Sequence, residues 1–161
     1  MEIQSLFGLP AHPLIVHAAV VLLPLAAICT VVTAVAPRTR RHFAPVALGL
    51  AAVSTLAVRL AEGSGESLEE RVDRSALVAA HTAQAERVFP WAIALTLVAA
   101  AVTAAAWVVR RYPKLSPRTV TAALILVAAI AGVGSTWTVI EVGHSGAKAT
   151  WSDVGAEGEG G

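Results

Sequence analysis

The chain is poor in sulfur, in aromatic rings and in charge, and each shortage excludes something. Cys29 is the single cysteine and Met1 the single methionine, so no internal disulfide can form and no thiolate or thioether cluster is present to carry soft Cu(I). Aromatic residues make up 5% of the 161 positions and charged residues 14%, against 56% hydrophobic, and the mean hydropathy is +0.68. A charged fraction this far below the ~25% of soluble domains excludes an ordinary water-soluble globule. No basic residue precedes Arg38, so a cleavable signal peptide, which needs a positively charged start, is not expected. A Gly-rich phosphate loop, a cysteine nucleophile and a recognisable histidine–carboxylate–serine set are missing as well, which leaves little support for catalysis of those kinds.

What remains is hydrophobic length. Four nearly uncharged runs, 13–36, 43–61, 88–109 and 119–142, each approach the ~20 residues that a helix needs to cross a hydrocarbon core of ~30 Å. Runs this long and unalternating suit helices alone, because in lipid every backbone N–H and C=O must be paired within the segment. The expected fold is therefore all-α: one integral membrane four-helix bundle over residues 1–150, followed by an acidic tail, 151–161, expected to be disordered.

Charge orients the bundle. The link PRTRRH carries Arg38, Arg40 and Arg41, and the link RRYPKLSPR carries Arg110, Arg111, Lys114 and Arg118, with no acid in either. All 11 Asp and Glu residues fall on the other side, around Glu2, Glu62 to Glu86, and Glu141 to Glu159. The positive-inside rule then puts both links in the cytoplasm and both termini outside. Nucleic acid is not an expected partner, since the basic residues sit in two short links already explained by topology. Trp91 and Trp137 each lie 19 residues from the nearest cytoplasmic arginine, roughly 28 Å along a helix, at the opposite interface.

Local signals refine the spans. Ser116-Pro117 reads as an N-cap followed by a first-turn proline, and Pro13 and Pro45 can open helices in the same way. Pro90 deprives the Glu86 carbonyl of its helical partner, and Pro24 does the same to Val20, so each can kink its helix. Gly132, Gly134, Ala128 and Ser135 give the last span a small-residue face for close packing. Between spans two and three, Gly63 and Gly65 permit a sharp turn, and Ser67-Leu68-Glu69-Glu70 resembles a capping signal. Leu68, Val72, Leu77 and Val78 then suggest an amphipathic helical segment before helix three, lying on the outer surface or running on into that helix.

The histidines gather at one height. Counted up from the cytoplasmic helix ends, His17 stands at roughly 30 Å, His144 at roughly 39 Å, and His81 at roughly 43 Å if helix three begins near Ser75. His12 precedes Pro13 just above the first turn, so four of the five histidines converge on the outer rim and His42 alone joins a basic link. A lone interfacial histidine is ordinarily bonded to a carbonyl or water; four on one rim of so apolar a chain call for more. His12 and His17 are five residues apart, about 140° around a helix, and so must serve different partners. Arg59, roughly 24 Å up its helix, needs to snorkel or to pair with Glu62, Glu141 or a bound anion.

In order along the chain, GLPAHPLIVH, SGESLEERV, HTAQAE and GHSGAKATW resemble an uncharacterised family of small bacterial membrane proteins, DUF 2231. The opening H-P-x-x-V-H and closing G-H-x-G are its most specific parts. His12 and His17 match the first, His81 the middle histidine, and Gly143, His144 and Gly146 the last. Ala18-Ala19 stands where Phe-Pro often follows the second histidine, and Ala147 replaces a second glycine. The resemblance implies a membrane protein without a defined activity; some relatives are joined to Rieske iron-sulfur domains, which suits electron transfer.

Two cofactor readings follow from the rim. The first is a haem b held by axial histidines from different helices, chosen among His12, His17, His81 and His144, with Arg59 available to a propionate. Such a protein would carry electrons rather than turn over a substrate of its own, exchanging them with a quinol or a periplasmic redox protein, alone or as an oligomer. The second is a Cu or Zn site built from three of those histidines with Glu86 or Glu141. The remaining alternative is a cofactor-free membrane subunit whose rim histidines bond to loops and respond to external pH.

Overall fold

The computed structural model describes residues 5–6, 9–72, 75–112 and 116–156. A short antiparallel pairing of β1 (Ser5–Leu6) with β2 (Leu9–Pro10) leads into α1 (Ala11–Val35). There follow α2 (Arg40–Glu69), α3 (Ala76–Ala85), α4 (Val88–Arg111) and α5 (Pro117–Ala156). Four helical stretches are long and apolar enough to cross a membrane, α3 and α4 together supplying the third. In the bundle α1 packs on α2, α2 on α4, α4 on α5 and α5 back on α1. The all-α four-helix membrane bundle expected from the sequence is what forms, with both ends of the described chain on the side that carries the α2–α3 connection.

The helices run beyond the hydrophobic stretches that announce them. With 30 and 40 residues, α2 and α5 are about 45 Å and about 60 Å long, so both overshoot a ~30 Å core. The turn expected at Gly63 and Gly65 does not occur: α2 passes through both glycines to Glu69. Two interior glycines cost a helix only about 1 kcal/mol each, and this part of α2 also receives bonds from α1 described below. Ser67 is accordingly no cap, its hydroxyl donating to the Gly63 carbonyl within the helix (3.3 Å). The true N-cap is Ser75, whose hydroxyl accepts from the Val78 N–H (3.1 Å) and starts α3 where an early third helix was expected.

Other boundaries follow from proline chemistry. The break between α3 and α4 falls at Glu86 and Arg87, four residues ahead of Pro90, whose ring removes the bond to the Glu86 carbonyl. Pro24 leaves α1 continuous. Pro117 begins α5, with the Ser116 hydroxyl accepting from the Thr119 N–H (3.4 Å). At the other end α5 continues to Ala156, past the start of the acidic tail read from the sequence; residues 157–161 of that tail lie outside the described residues.

The core is built from small side chains. Ala26, Ala27, Ala51, Ala92, Ala99, Ala128 and Ala131 are buried together with Leu23, Leu95 and Val102, while Val21, Ile28, Leu56, Leu97, Leu126 and Val133 point outward. Lipid solvates large apolar side chains as well as a core does, so helix association relies on close approach and on polar links between helices. One such link joins α2 to α4: Thr55 Oγ1 lies 2.9 Å from Thr96 Oγ1 and 3.1 Å from the Ala92 carbonyl oxygen. The glycines of α5 divide the work unequally. A methyl group on Gly132 would meet Ala27 and Val31 at 3.5 Å, an ordinary contact, whereas one on Gly134 would overlap the Trp91 ring. Gly134→Ala is therefore expected to cost about 1–3 kcal/mol by forcing Trp91 aside. Gly132→Ala should be neutral or stabilising, given the ~1 kcal/mol helix preference for Ala. Thermal unfolding of the two variants in detergent checks the contrast.

Candidate functional site

The overshooting ends of α2 and α5, the start of α1 and the whole of α3 meet at the acidic end of the bundle. Ser64 is 24 residues above Arg40 and Ser145 is 28 above Pro117, about 36 Å and about 42 Å up their helices and so just beyond a ~30 Å core. Two histidines dock there in the same manner. His12 of α1 has Nδ1 3.0 Å from Ser64 Oγ and 3.1 Å from the Ala61 carbonyl oxygen. His81 of α3 has Nδ1 3.1 Å from Ser145 Oγ. In each case the next residue is the glycine that admits the ring: a Cβ on Gly65 would stand 3.1 Å from His12 Cε1, and one on Gly146 3.0 Å from His81 Cε1.

The site is thus made twice, once by a histidine on the Ser-Gly pair of α2 and once by a histidine on the Ser-Gly pair of α5. The two rings are within electrostatic reach of one another. Both are partly buried, and in both the nitrogen turned to the protein is Nδ1, which leaves Nε2 without a protein bond among the described contacts. The docking also closes the rim. α3 buries no residue of its own, and it is fastened by His81 to α5 and by Thr82, whose hydroxyl donates to Glu69 Oε2 (3.1 Å), to α2.

The other expected residues take different places. His17 is exposed, and its Nδ1–H donates to the Pro13 carbonyl one turn back in α1. His144 is exposed on α5 beside the docked pair of Ser145 and Gly146. The 140° between His12 and His17 has the consequence read from the sequence: one ring faces α2 and the other does not. Arg59 pairs with Glu62 at 3.4 Å, the first of its expected partners. Glu141 pairs instead with Arg87 at 3.6 Å, tying α5 to the start of α4. Glu86 is exposed, within electrostatic reach of Glu62.

Among the described residues no three His, Cys, Asp or Glu side chains are grouped to hold a metal ion. Of the four rim histidines proposed as ligands, His12 and His81 are docked on Ser-Gly pairs, while His17 and His144 are exposed. Sequence reading passed over Ser64, Ser145 and Thr82 and gave Gly65 and Glu69 other roles, a turn and a cap. The signal that marks the two serines and Gly65 is the dipeptide Ser-Gly, present at 64–65 and 145–146, each in a helix that continues above its span.

Comparison with protein families matches residues 8–157 to the model described as a predicted membrane protein (DUF2231). No curated protein matches the chain, and no solved structure does.

Proposed function

The chain belongs to the DUF2231 family of membrane proteins, and we propose that within that fold it is a haem b protein that carries electrons, with His12 and His81 as the axial ligands. The observation that carries this reading is the matched presentation of the two imidazoles. They come from different helices, stand at the same end of the bundle, and each engages the protein through Nδ1. An imidazole anchored in that way offers Nε2 to a metal, and the anchoring bond both orients the ring and strengthens it as a donor. Paired ligands from separate helices are the usual way in which a bundle holds such a group. The donor set also suits iron in a porphyrin better than a bare metal ion, because two neutral nitrogens suffice where the macrocycle supplies the other four.

When bound, the haem would supply reversible one-electron chemistry. The protein's share is to hold the two rings, through Ser64, Ala61 and Ser145, and to keep them at the level of the membrane interface. Arg38, Arg41, Arg111 and Arg118 at the opposite end favour a cytoplasmic location for that end. The site then faces the outside of a bacterial plasma membrane, within reach of a quinol in the bilayer or of a periplasmic redox protein. Arg59 is available to a propionate, since its pair with Glu62 is half open to solvent and weak.

The full-length chain, purified in detergent from haem-replete cells, is expected to show a Soret band and, on reduction, the sharp paired visible bands of low-spin bis-imidazole iron. A preparation that stays colourless, and remains so on titration with hemin, overturns the reading.

A further inference from the structure

We infer that Ser145 is a positioning residue that sets the tautomer of His81, whereas Ser64 is dispensable for that task at His12, so that one ring of the pair is tunable and the other is locked. The argument starts from where each hydroxyl proton goes. Ser64 Oγ lies 3.0 Å from the Ala61 carbonyl oxygen and Ser145 Oγ 3.0 Å from that of Val142. A carbonyl only accepts, so each serine donates its single proton down its own helix. The lone pairs of Oγ then face the imidazole, and the ring nitrogen must bring the proton. Both rings are thereby held as the Nδ1–H tautomer, with the Nε2 lone pair outward.

The two cases differ in what enforces them. His12 Nδ1 faces the Ala61 carbonyl directly, at 3.1 Å, as well as Ser64 Oγ. An unprotonated Nδ1 would set a lone pair against that carbonyl, so the tautomer survives loss of the serine. For His81 the Ser145 hydroxyl is the only partner of Nδ1 among the described contacts. If Ser145 turned its proton toward Nδ1, one hydrogen bond would replace two, because its bond to the Val142 carbonyl would be given up. The serine therefore selects the tautomer by count, and among the described residues no other group faces His81 Nδ1 to replace it.

This inference concerns the site described under the proposed function, but its first test needs no haem. The full chain with ring-15N histidine in lipid nanodiscs, prepared haem-free at a pH where the rings are neutral, is expected to give Nδ1–H signals for His12 and His81. Ser64→Ala should leave both unchanged. Ser145→Ala should move His81 alone toward Nε2–H, and Ser145→Thr, which keeps the hydroxyl, should restore it. A wild-type His81 already protonated at Nε2, or a His81 signal indifferent to Ser145→Ala, overturns the inference whatever becomes of the haem reading. In haem-loaded protein the second test is the midpoint potential and the rate of haem loss to a scavenger. Ser145→Ala weakens the donor ring, so the potential should rise and haem retention fall by about 10-fold or more, with Ser64→Ala changing both far less. Equal effects from the two serines would overturn it. Failure of any preparation to bind haem would count against the haem reading while leaving the 15N result to stand or fall by itself.

Discussion

His12→Ala and His81→Ala are each expected to lose the low-spin haem spectrum, while His17→Ala and His144→Ala retain it. All four histidines stand at the same end of the bundle, so height above the membrane does not separate them; ring orientation does. His12 and His81 are partly buried and tethered through Nδ1, the first to α2 and the second to α5. His17 spends its Nδ1 proton on its own helix and, like His144, is exposed. Absorbance and electron paramagnetic resonance of the four variants read the difference, since loss of one axial imidazole converts low-spin iron to high-spin. A smaller ring movement makes the same point without deleting a ligand. Gly146→Ala puts a methyl group 3.0 Å from His81 Cε1, closer than a ring and a methyl comfortably pack, and should weaken haem retention with His81 still present. If His17→Ala or His144→Ala abolishes the spectrum and His81→Ala does not, the pairing proposed here is wrong.

The fold was readable where the solvent dictates it. Hydropathy finds the four spans because lipid demands paired backbone and apolar surface over a fixed length. It does not find the helix ends, since nothing stops the backbone ladder of α2 at Ala61 or of α5 at Val142 when the chain leaves the hydrocarbon. The glycines at 63 and 65 look like a turn in isolation, yet α2 runs through both, and the second proves to be room for the His12 ring. Histidine heights were legible from the constant rise of a helix. Which rings meet was not, because rotation of α1 and α3 about their axes depends on docking against Ser64-Gly65 and Ser145-Gly146. The local part of that information, the 140° between His12 and His17, was available and held.

One consequence of this geometry concerns assembly of the site. His12 belongs to the α1–α2 hairpin, whose partners it contacts locally once that hairpin closes. His81 reaches its serine only when α5 has packed alongside α3, 64 residues later in the chain. The two halves of the site are thus completed separately, and their mutual approach depends on α2 meeting α4 and α1 meeting α5. The Thr55–Thr96 bond and the Gly134–Trp91 fit, both remote from the histidines, therefore bear on the distance between the two rings.

The opposite end of the bundle holds the residue whose loss should cost the most stability. Arg40 looks from the sequence like one of three topology charges in a link, but it is 5% exposed. Its guanidinium donates from Nη2 to the Ala34 carbonyl at 2.7 Å and from Nε to the Thr33 carbonyl at 3.3 Å. Those are carbonyls at the C-terminal end of α1, where the helix has run out of its own N–H donors and its dipole is negative. Arg40, itself the first residue of α2, thus caps α1 and fixes the α1–α2 hairpin. Hydrogen bonds from a charged donor contribute about 1.5–3 kcal/mol each and an unpaired buried carbonyl adds a penalty, so Arg40→Ala is expected to destabilise the bundle by about 2–4 kcal/mol. Arg40→Lys keeps the charge but offers a point donor in place of a fork, and should recover only part of the loss. Arg41→Ala, an exposed change in the same link, should fall within about 0.5 kcal/mol of the parent. Denaturant unfolding in mixed micelles measures all three, and reporter fusions at both ends confirm that topology is retained in each. Were Arg40→Ala and Arg41→Ala equally mild, Arg40 would be a topology charge like its neighbours and the cap would contribute nothing.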